Sequence, residues 1–341
     1  MNLEKRISAF CALGDKINQW LLEINENKPS EMDAVIELAF HKNGWFVKSE
    51  VINALTEISL WLNKKELTNW CARYDFNSNS EIKTVGVIMA GNIPLVGFHD
   101  YLSVLISGHK IQAKLSSKDE VLLPFLNAEL VKIESDFEVL VDFTTERFNK
   151  VDAVIATGSD NSSRYFDYYF SKIPNIIRKN RTSVAVLTGK ETKEELAQLG
   201  HDIFRYFGLG CRNVTKVYFP KGFSIDWFYE GIISHSDVIN NHKYQNNYDY
   251  HKSLFLLNGE NLWDNNFVLL KKDSRLSSPV GTLYYEEYDD LADLEKLLIQ
   301  ESDNIQCRVG VGGFKLGVAQ QPKLSDYSDN IDVLKFLLGL S

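Results

Sequence analysis

The rhythm of apolar and polar positions changes near residue 83. Before it, apolar residues recur at three- and four-residue steps. Ile7, Phe10, Leu13, Ile17 and Trp20 make one stripe; Val51, Leu55, Ile58 and Leu62 make another. This period predicts helices through residues 1–75, interrupted by the turn-like Lys42-Asn43-Gly44. From Lys83 onward short apolar runs take over: VGVIMAG, KIQAKL, FEVLVDF, DAVIATG and SVAVLTG, with helical stretches between them. Runs of this length, three of them closed by glycine, predict buried strands. Strand–helix alternation implies a parallel sheet covered on both faces, and such sheets take ligands at the carboxyl ends of their strands.

A second α/β unit is expected downstream. Residues 190–205 read as an amphipathic helix entering Phe207-Gly208-Leu209-Gly210-Cys211, with strands at VTKVYFP, SLFLLN, FVLLKK and PVGTLYYEEY. Residues 235–252 are rich in Asn, Tyr and His and read as a solvated loop. His242, Asp249 and His251 lie close together there, without the short regular spacing of metal ligands, so no metal site is expected. Arg178, Lys179 and Arg181 form a charged run that suits either a solvated face or a cofactor phosphate.

At 341 residues the chain has room for two domains, and its 44% apolar content suffices for sizeable cores. A net charge of −9 argues against nucleic acid as a partner, because phosphate-backbone binding needs clustered Lys and Arg. It leaves room for a phosphate-bearing cofactor held by local basic groups and helix N-termini. No apolar run approaches the roughly 18 residues that span a bilayer, and the first twenty residues read as a helix rather than a signal peptide. The cysteines Cys11, Cys71, Cys211 and Cys307 form no CxxC pair. Scattered thiols of this kind suggest a reduced cytoplasmic protein, with Cys11, Cys71 and Cys307 as buried thiols.

Three segments, in order, give Cys211 a different meaning. GVIMAGNIPLVGFHDYLSVLISGHKIQAKLSSKD, ATGSDNSSRYF and ELAQLGHDIFRYFGLGCRNV resemble, in turn, three units of the aldehyde dehydrogenase superfamily. These are its strand–Asn–Pro–helix–strand–Lys unit, its nucleotide turn, and the helix leading into its nucleophilic cysteine. The resemblance spans roughly residues 83–290. NGWFVKSEV, GLGCRNV and PKLSDYSDNIDVLKFL look closer to one branch, the acyl-CoA reductases related to the fatty-acid reductase of bacterial luminescence. The implied fold is α/β and aldehyde-dehydrogenase-like: a Rossmann-type parallel-sheet cofactor domain plus a second α/β catalytic domain. Expected boundaries are 1–187 for the helical N-terminus and nucleotide-binding domain and 188–310 for the catalytic domain. Residues 311–341 would pack back on the first.

Carried over residue by residue, the resemblance makes Cys211 the nucleophile, as a thiolate that forms a thioester still open to hydride. Asn92 would donate its side-chain amide to the oxyanion. Gly158 and Ser159 match the turn at the cofactor diphosphate, and Lys114 the lysine at the adenosine ribose. Where NAD-preferring members have a glutamate, this chain has Ser117, which leaves space for a 2′-phosphate and points to NADPH over NADH. Two positions depart from the pattern. Val186 stands at the general-base glutamate of hydrolytic members, and Arg275 roughly at the glutamate that orients the nicotinamide ribose.

Together these residues imply reduction of a fatty acyl thioester, on CoA or acyl-carrier protein, to the aldehyde through a covalent acyl-cysteine. A homo-oligomer is compatible with this reading. The alternatives are an acyl-phosphate reductase of the semialdehyde type and a non-catalytic nucleotide-binding scaffold.

Overall fold

The computed structural model describes residues 1–76, 81–158 and 160–340. The chain divides into two units, Met1–Asn180 with Lys323–Ser341, and Arg181–Pro322.

The first unit opens with helices α1 (Leu3–Asn25), α2 (Glu31–Lys42), α3 (Lys48–Trp61) and α4 (Lys64–Cys71). α1 buries Phe10, Leu13, Ile17 and Trp20, the stripe its spacing predicts, and α3 buries Val51, Leu55 and Ile58. α2 starts at a capping box between Ser30 and Asp33 and stops at Lys42, where Asn43 turns extended. Strands β1 (Thr84–Ile88), β2 (Lys110–Lys114), β3 (Val141–Thr144), β4 (Ala153–Thr157) and β5 (Asn175–Arg178) form a parallel sheet in the order β3-β2-β1-β4-β5. The crossovers run through α5 (Phe98–Ser107), α6 (Leu122–Ile133) and α7 (Asp160–Phe170). α5 is buried on nearly every side: Phe98, Tyr101, Leu102, Val104, Leu105 and Ile106 fill the core, and the polar Asp100, Ser103 and Ser107 are buried with them. The C-terminal helix Val333–Leu338 buries Val333, Leu334 and Leu337 in the same core.

The second unit is built on a six-stranded sheet. Its strands are β6 (Thr182–Val186), β7 (Val214–Pro220), β8 (Trp263–Asp264), β9 (Leu269–Lys272), β10 (Thr282–Tyr288) and β11 (Ile305–Gly310). Their order is β11-β6-β7-β10-β9-β8, parallel except for the β8–β9 pair. The helices are α8 (Lys193–Phe204), α9 (Ile225–Ile232), α10 (His242–Leu257) and α11 (Leu291–Gln300).

Three sequence expectations shift. SVAVLTG becomes β6, paired with β7 and β11, so the chain leaves the first sheet at Arg178 and the unit boundary lies at Asn180 rather than after residue 187. SLFLLN is not a strand but the last turn and a half of α10. The polar stretch before it is helical too, from His242 on. Asn241 caps that helix by accepting from the Lys243 and Tyr244 N–H groups, and Tyr244, Tyr248 and Phe255 fill one buried face. A polar composition hid that stripe, because tyrosine counts as polar in the pattern yet packs as an aromatic.

Candidate functional site

The first sheet ends in register at its carboxyl edge. Ile88 of β1 lies beside Lys114 of β2 on one side and Ala156 of β4 on the other. Strand order reverses around β1, which makes this edge a topological switch point, the place where open parallel sheets take ligands. Lys114 is half-buried at the end of β2, and Ser117 is exposed in the turn that follows. Gly158 closes β4 just before α7. A Cβ there would lie 2.8 Å from both Ser162 Cβ and the Phe166 ring, so only glycine lets the chain enter the helix this tightly. Ser159 lies outside the described residues. A half-buried lysine, a glycine turn and a following helix N-terminus on one sheet edge fit a phosphate-bearing dinucleotide.

Asn92 lies four residues past β1, half-buried in a loop clamped to the Ser116–Asp119 turn. Gly91 packs so closely that a Cβ would meet Ser116 Oγ at 2.5 Å. Leu95 takes a left-handed φ of 57°, unusual for a branched side chain, and its N–H donates to Asp119 Oδ2 at 2.8 Å. Asp119 is 7% exposed, and burial pushes its carboxyl up to about 7 against the opposing pull of the Leu95 N–H. From α2, Asn43 Nδ2 donates to the Lys118 carbonyl and holds the far side of the same turn.

Within the basic run 178–181, Arg178 is no phosphate receptor. Its guanidinium forms a buried two-pronged pair with Asp100 of α5, NH1 to Oδ2 at 2.6 Å and NH2 to Oδ1 at 2.8 Å. The sequence pattern could not find the partner, which lies 78 positions away.

Cys211 is exposed, whereas Cys71 and Cys307 are buried and Cys11 lies between. Its loop is unusual. Tyr206, Phe207 and Gly208 are three consecutive left-handed residues, with φ of 53°, 58° and 75°. Left-handed conformations cost roughly 1–2 kcal/mol for a residue with a Cβ, so the neighbourhood must hold Tyr206 and Phe207 in place. Asn213 ties down the backbone on either side of them. Its Nδ2 donates to the carbonyls of Asp202 (3.1 Å), Ile203 (3.2 Å) and Arg205 (2.8 Å), and its Oδ1 accepts from the Gly210 N–H at 2.8 Å. The side chain is fully buried and ties the end of α8 to the cysteine turn. Ser183 of β6 donates Oγ to the Cys211 carbonyl at 3.0 Å. Asp202, also buried, accepts from the Gly317 and Ala319 N–H groups at 2.6 and 2.9 Å; burial raises its carboxyl to about 6.

No family model matches the chain. A long-chain acyl-protein thioester reductase from Aliivibrio fischeri is 24% identical over 169 residues, 45% of this chain. The match spans only 35% of that relative's length. Among solved structures, an aldehyde dehydrogenase of Mycobacterium tuberculosis complexed with NAD+ superposes with a TM-score of 0.65. It is 11% identical, over 91% of this chain and 73% of that one. An aldehyde dehydrogenase of Physcomitrella patens with succinate bound gives 0.65 at 12% identity, over 99% and 84%. The NADP-dependent glyceraldehyde-3-phosphate dehydrogenase of Bacillus halodurans, complexed with NADP, gives 0.63 at 13% identity, over 91% and 74%.

The chain has the aldehyde dehydrogenase fold.

Within the aldehyde dehydrogenase fold, the two departures from the family pattern have definite surroundings. Val186 is fully buried and packs in an apolar cluster with Val184, Tyr218, Leu294 and Leu298, and its own side chain cannot take a proton from water. Arg275 is pinned by the Asp273 carboxylate, which accepts from its Nε at 2.9 Å and its NH2 at 2.6 Å, and it stacks over the Tyr284 ring at 5.0 Å. The Arg275 guanidinium holds Asp273 well below the usual carboxylate range. Asn213 and Asp119 are the supporting residues that sequence reading missed. Each sits two residues past a candidate site residue, at Cys211-Arg212-Asn213 and Ser117-Lys118-Asp119, and only folding shows which backbone groups they reach.

Proposed function

We propose that this chain is an acyl-thioester reductase that converts a fatty acyl-CoA, or the acyl-carrier-protein ester, to the aldehyde, with NADPH preferred over NADH. The observation that carries the reading is the pairing of an exposed Cys211, on a strained and heavily braced loop, with a buried valine at position 186. Where hydrolytic members carry the general-base glutamate, this chain offers a valine, so that route from thioester to acid loses its base.

The Cys211 thiolate attacks the thioester carbonyl, forming a C–S bond and moving the C=O pair onto oxygen. In the role that the resemblance gives it, Asn92 would donate its side-chain N–H to that oxygen. The oxyanion collapses, the bond to the carrier sulfur breaks, and the carrier leaves as a thiolate that is then protonated. The chemistry that a bound nicotinamide cofactor would supply is a two-electron hydride to the carbonyl of the acyl-cysteine. Cys211 then departs as thiolate, releasing the aldehyde. Overall, one acyl thioester, one NADPH and one proton give one aldehyde, one thiol and one NADP+. Lys114, Gly158 and Ser159 would hold the cofactor's phosphates and adenosine ribose, and Ser117 leaves its 2′-position uncrowded.

The test is to mix acyl-CoA with the enzyme alone. The expected result is one equivalent of free CoA, an intact-mass increase of one acyl group on Cys211, and little fatty acid over minutes, because general-base help worth typically 10²–10⁴-fold is missing. Multiple-turnover release of fatty acid would overturn the reading of Val186, and no acylation at all would favour the scaffold alternative that the Asp273–Arg275 pairing makes thinkable. Consumption of long-chain acyl-CoA with matching NADPH oxidation separates this reading from the acyl-phosphate alternative.

A further inference from the structure

We infer that Asp119 is a positioning residue for Asn92: its buried carboxyl holds the Asn92 loop on the Ser116–Asp119 turn. The inference rests on the proposed oxyanion role of Asn92. The loop from Gly91 to Leu95 touches the turn at both ends. At Gly91 the backbone lies against Ser116, where a Cβ would come within 2.5 Å of Oγ and 3.3 Å of the Asp119 N. At Leu95 the N–H reaches Asp119 Oδ2 at 2.8 Å, and the left-handed φ of that residue is what aims the N–H inward. Asn92 lies between the two contacts. A carboxyl group is costly at so buried a position, and its second oxygen, Oδ1, has no hydrogen-bond partner among the described residues. Burial and the Leu95 N–H are the two influences on it. Its charged neighbours along the chain look elsewhere: Lys118 is exposed, and Glu120 pairs with Lys42 at the end of α2 at 2.9 Å. An apolar residue would cap the same space more cheaply, so the carboxyl is there for the one bond it makes to the loop.

An oxyanion donor must be fixed before the charge develops, and displacement by about 1 Å can cost on the order of 10²-fold. The test is a double-mutant cycle read by single-turnover acylation of Cys211 from a long-chain acyl-CoA. Asn92→Ala is expected to slow acylation by roughly 10²–10³-fold. Asp119→Ala is expected to slow it roughly 10–100-fold with the KM for acyl-CoA little changed, and Asp119→Asn, which can still accept from the Leu95 N–H, to restore most of the loss. The double variant Asn92→Ala/Asp119→Ala should be no slower than Asn92→Ala alone, because a residue acting through Asn92 has nothing left to position. Additive losses, or a normal rate in Asp119→Ala, would overturn the inference. Normal acylation in Asn92→Ala would instead overturn the oxyanion assignment beneath it. If Asp119→Ala does not fold, Gly91→Ala breaks the other end of the clamp. It is expected to slow acylation likewise, and again to add nothing to Asn92→Ala; an additive loss there also overturns the inference.

Discussion

The Asn92 loop and the Cys211 loop solve the same problem with different chemistry. Each carries a residue expected to touch the reacting group, each has at least one non-glycine residue at positive φ, and in each a buried polar side chain reaches the loop backbone. At Cys211 the brace is a neutral carboxamide, Asn213, whose amide nitrogen and oxygen are both engaged by backbone. At Asn92 the brace is a carboxyl, Asp119, with a single bond. Asp202 supplies a parallel. Burial raises its carboxyl to about 6 against two backbone N–H donors and nearby Arg205, and raises that of Asp119 to about 7 against one donor. Each N–H aimed at a buried carboxylate stabilises the charged form and offsets part of the desolvation. An amide brace is therefore insensitive to pH, and a carboxyl brace is not.

The largest effect expected is at the cysteine itself. Cys211→Ser should abolish turnover and acylation, since a hydroxyl is a poor nucleophile without a base, and the melting temperature should hold because the side chain is exposed. Wild-type rates in that variant would remove the catalytic half of the comparison. Next in size is the brace of the same loop. Asn213→Ala leaves several buried backbone groups without partners and releases Tyr206 and Phe207 from their left-handed conformation. A loss of about 2–3 kcal/mol in urea unfolding is expected, together with slower acylation. A loss below about 0.5 kcal/mol would mean that the turn holds its own shape.

Two smaller effects lie on the first sheet. Ser117→Glu, at an exposed turn position, should shift preference from NADPH toward NADH on the order of tenfold by meeting a 2′-phosphate with a carboxylate. Unchanged cofactor ratios in steady-state kinetics would place the adenosine ribose elsewhere. The smallest effect sharpens the contrast between braces. Asp119 has a folded-state value above its unfolded one, so its contribution to stability is full below about 4 and is lost as pH rises through about 7. The urea midpoint should thus fall between pH 5 and pH 8, with Asp202 contributing in the same direction up to about 6. Asp119→Asn should flatten part of that fall. An identical pH profile in the variant would show that the carboxyl is not titrating in this window.

Much of the scaffold was legible because burial imposes a period. The stripe Phe10–Trp20 and the runs TVGVI and AVIAT are apolar in the rhythm their elements require, and they form α1, β1 and β4. The period failed where side chains are amphipathic: the tyrosines of α10 pack inward while their neighbours are polar, and SLFLLN, apolar enough for a strand, completes that helix. It also could not assign SVAVLTG to a sheet, because a fully buried strand reads the same in either one and only its partners, β7 and β11, decide.

The same boundary runs through the site. By itself the sequence supplied the candidates: Cys211 after a glycine, Asn92 after a strand, Lys114 at a strand end, and Val186 where a carboxylate would stand. Each was proposed from its resemblance to a short family motif, which spans only a few positions along the chain. Tertiary structure alone decided that Arg178 is spent on Asp100, that Asn213 braces the cysteine turn, and that Asp119 reaches back 24 positions to Leu95. The physical reason is that backbone N–H and C=O groups are the same at every residue. Which of them a buried polar side chain must satisfy is set by where the chain passes, and no pattern of side chains along it records that.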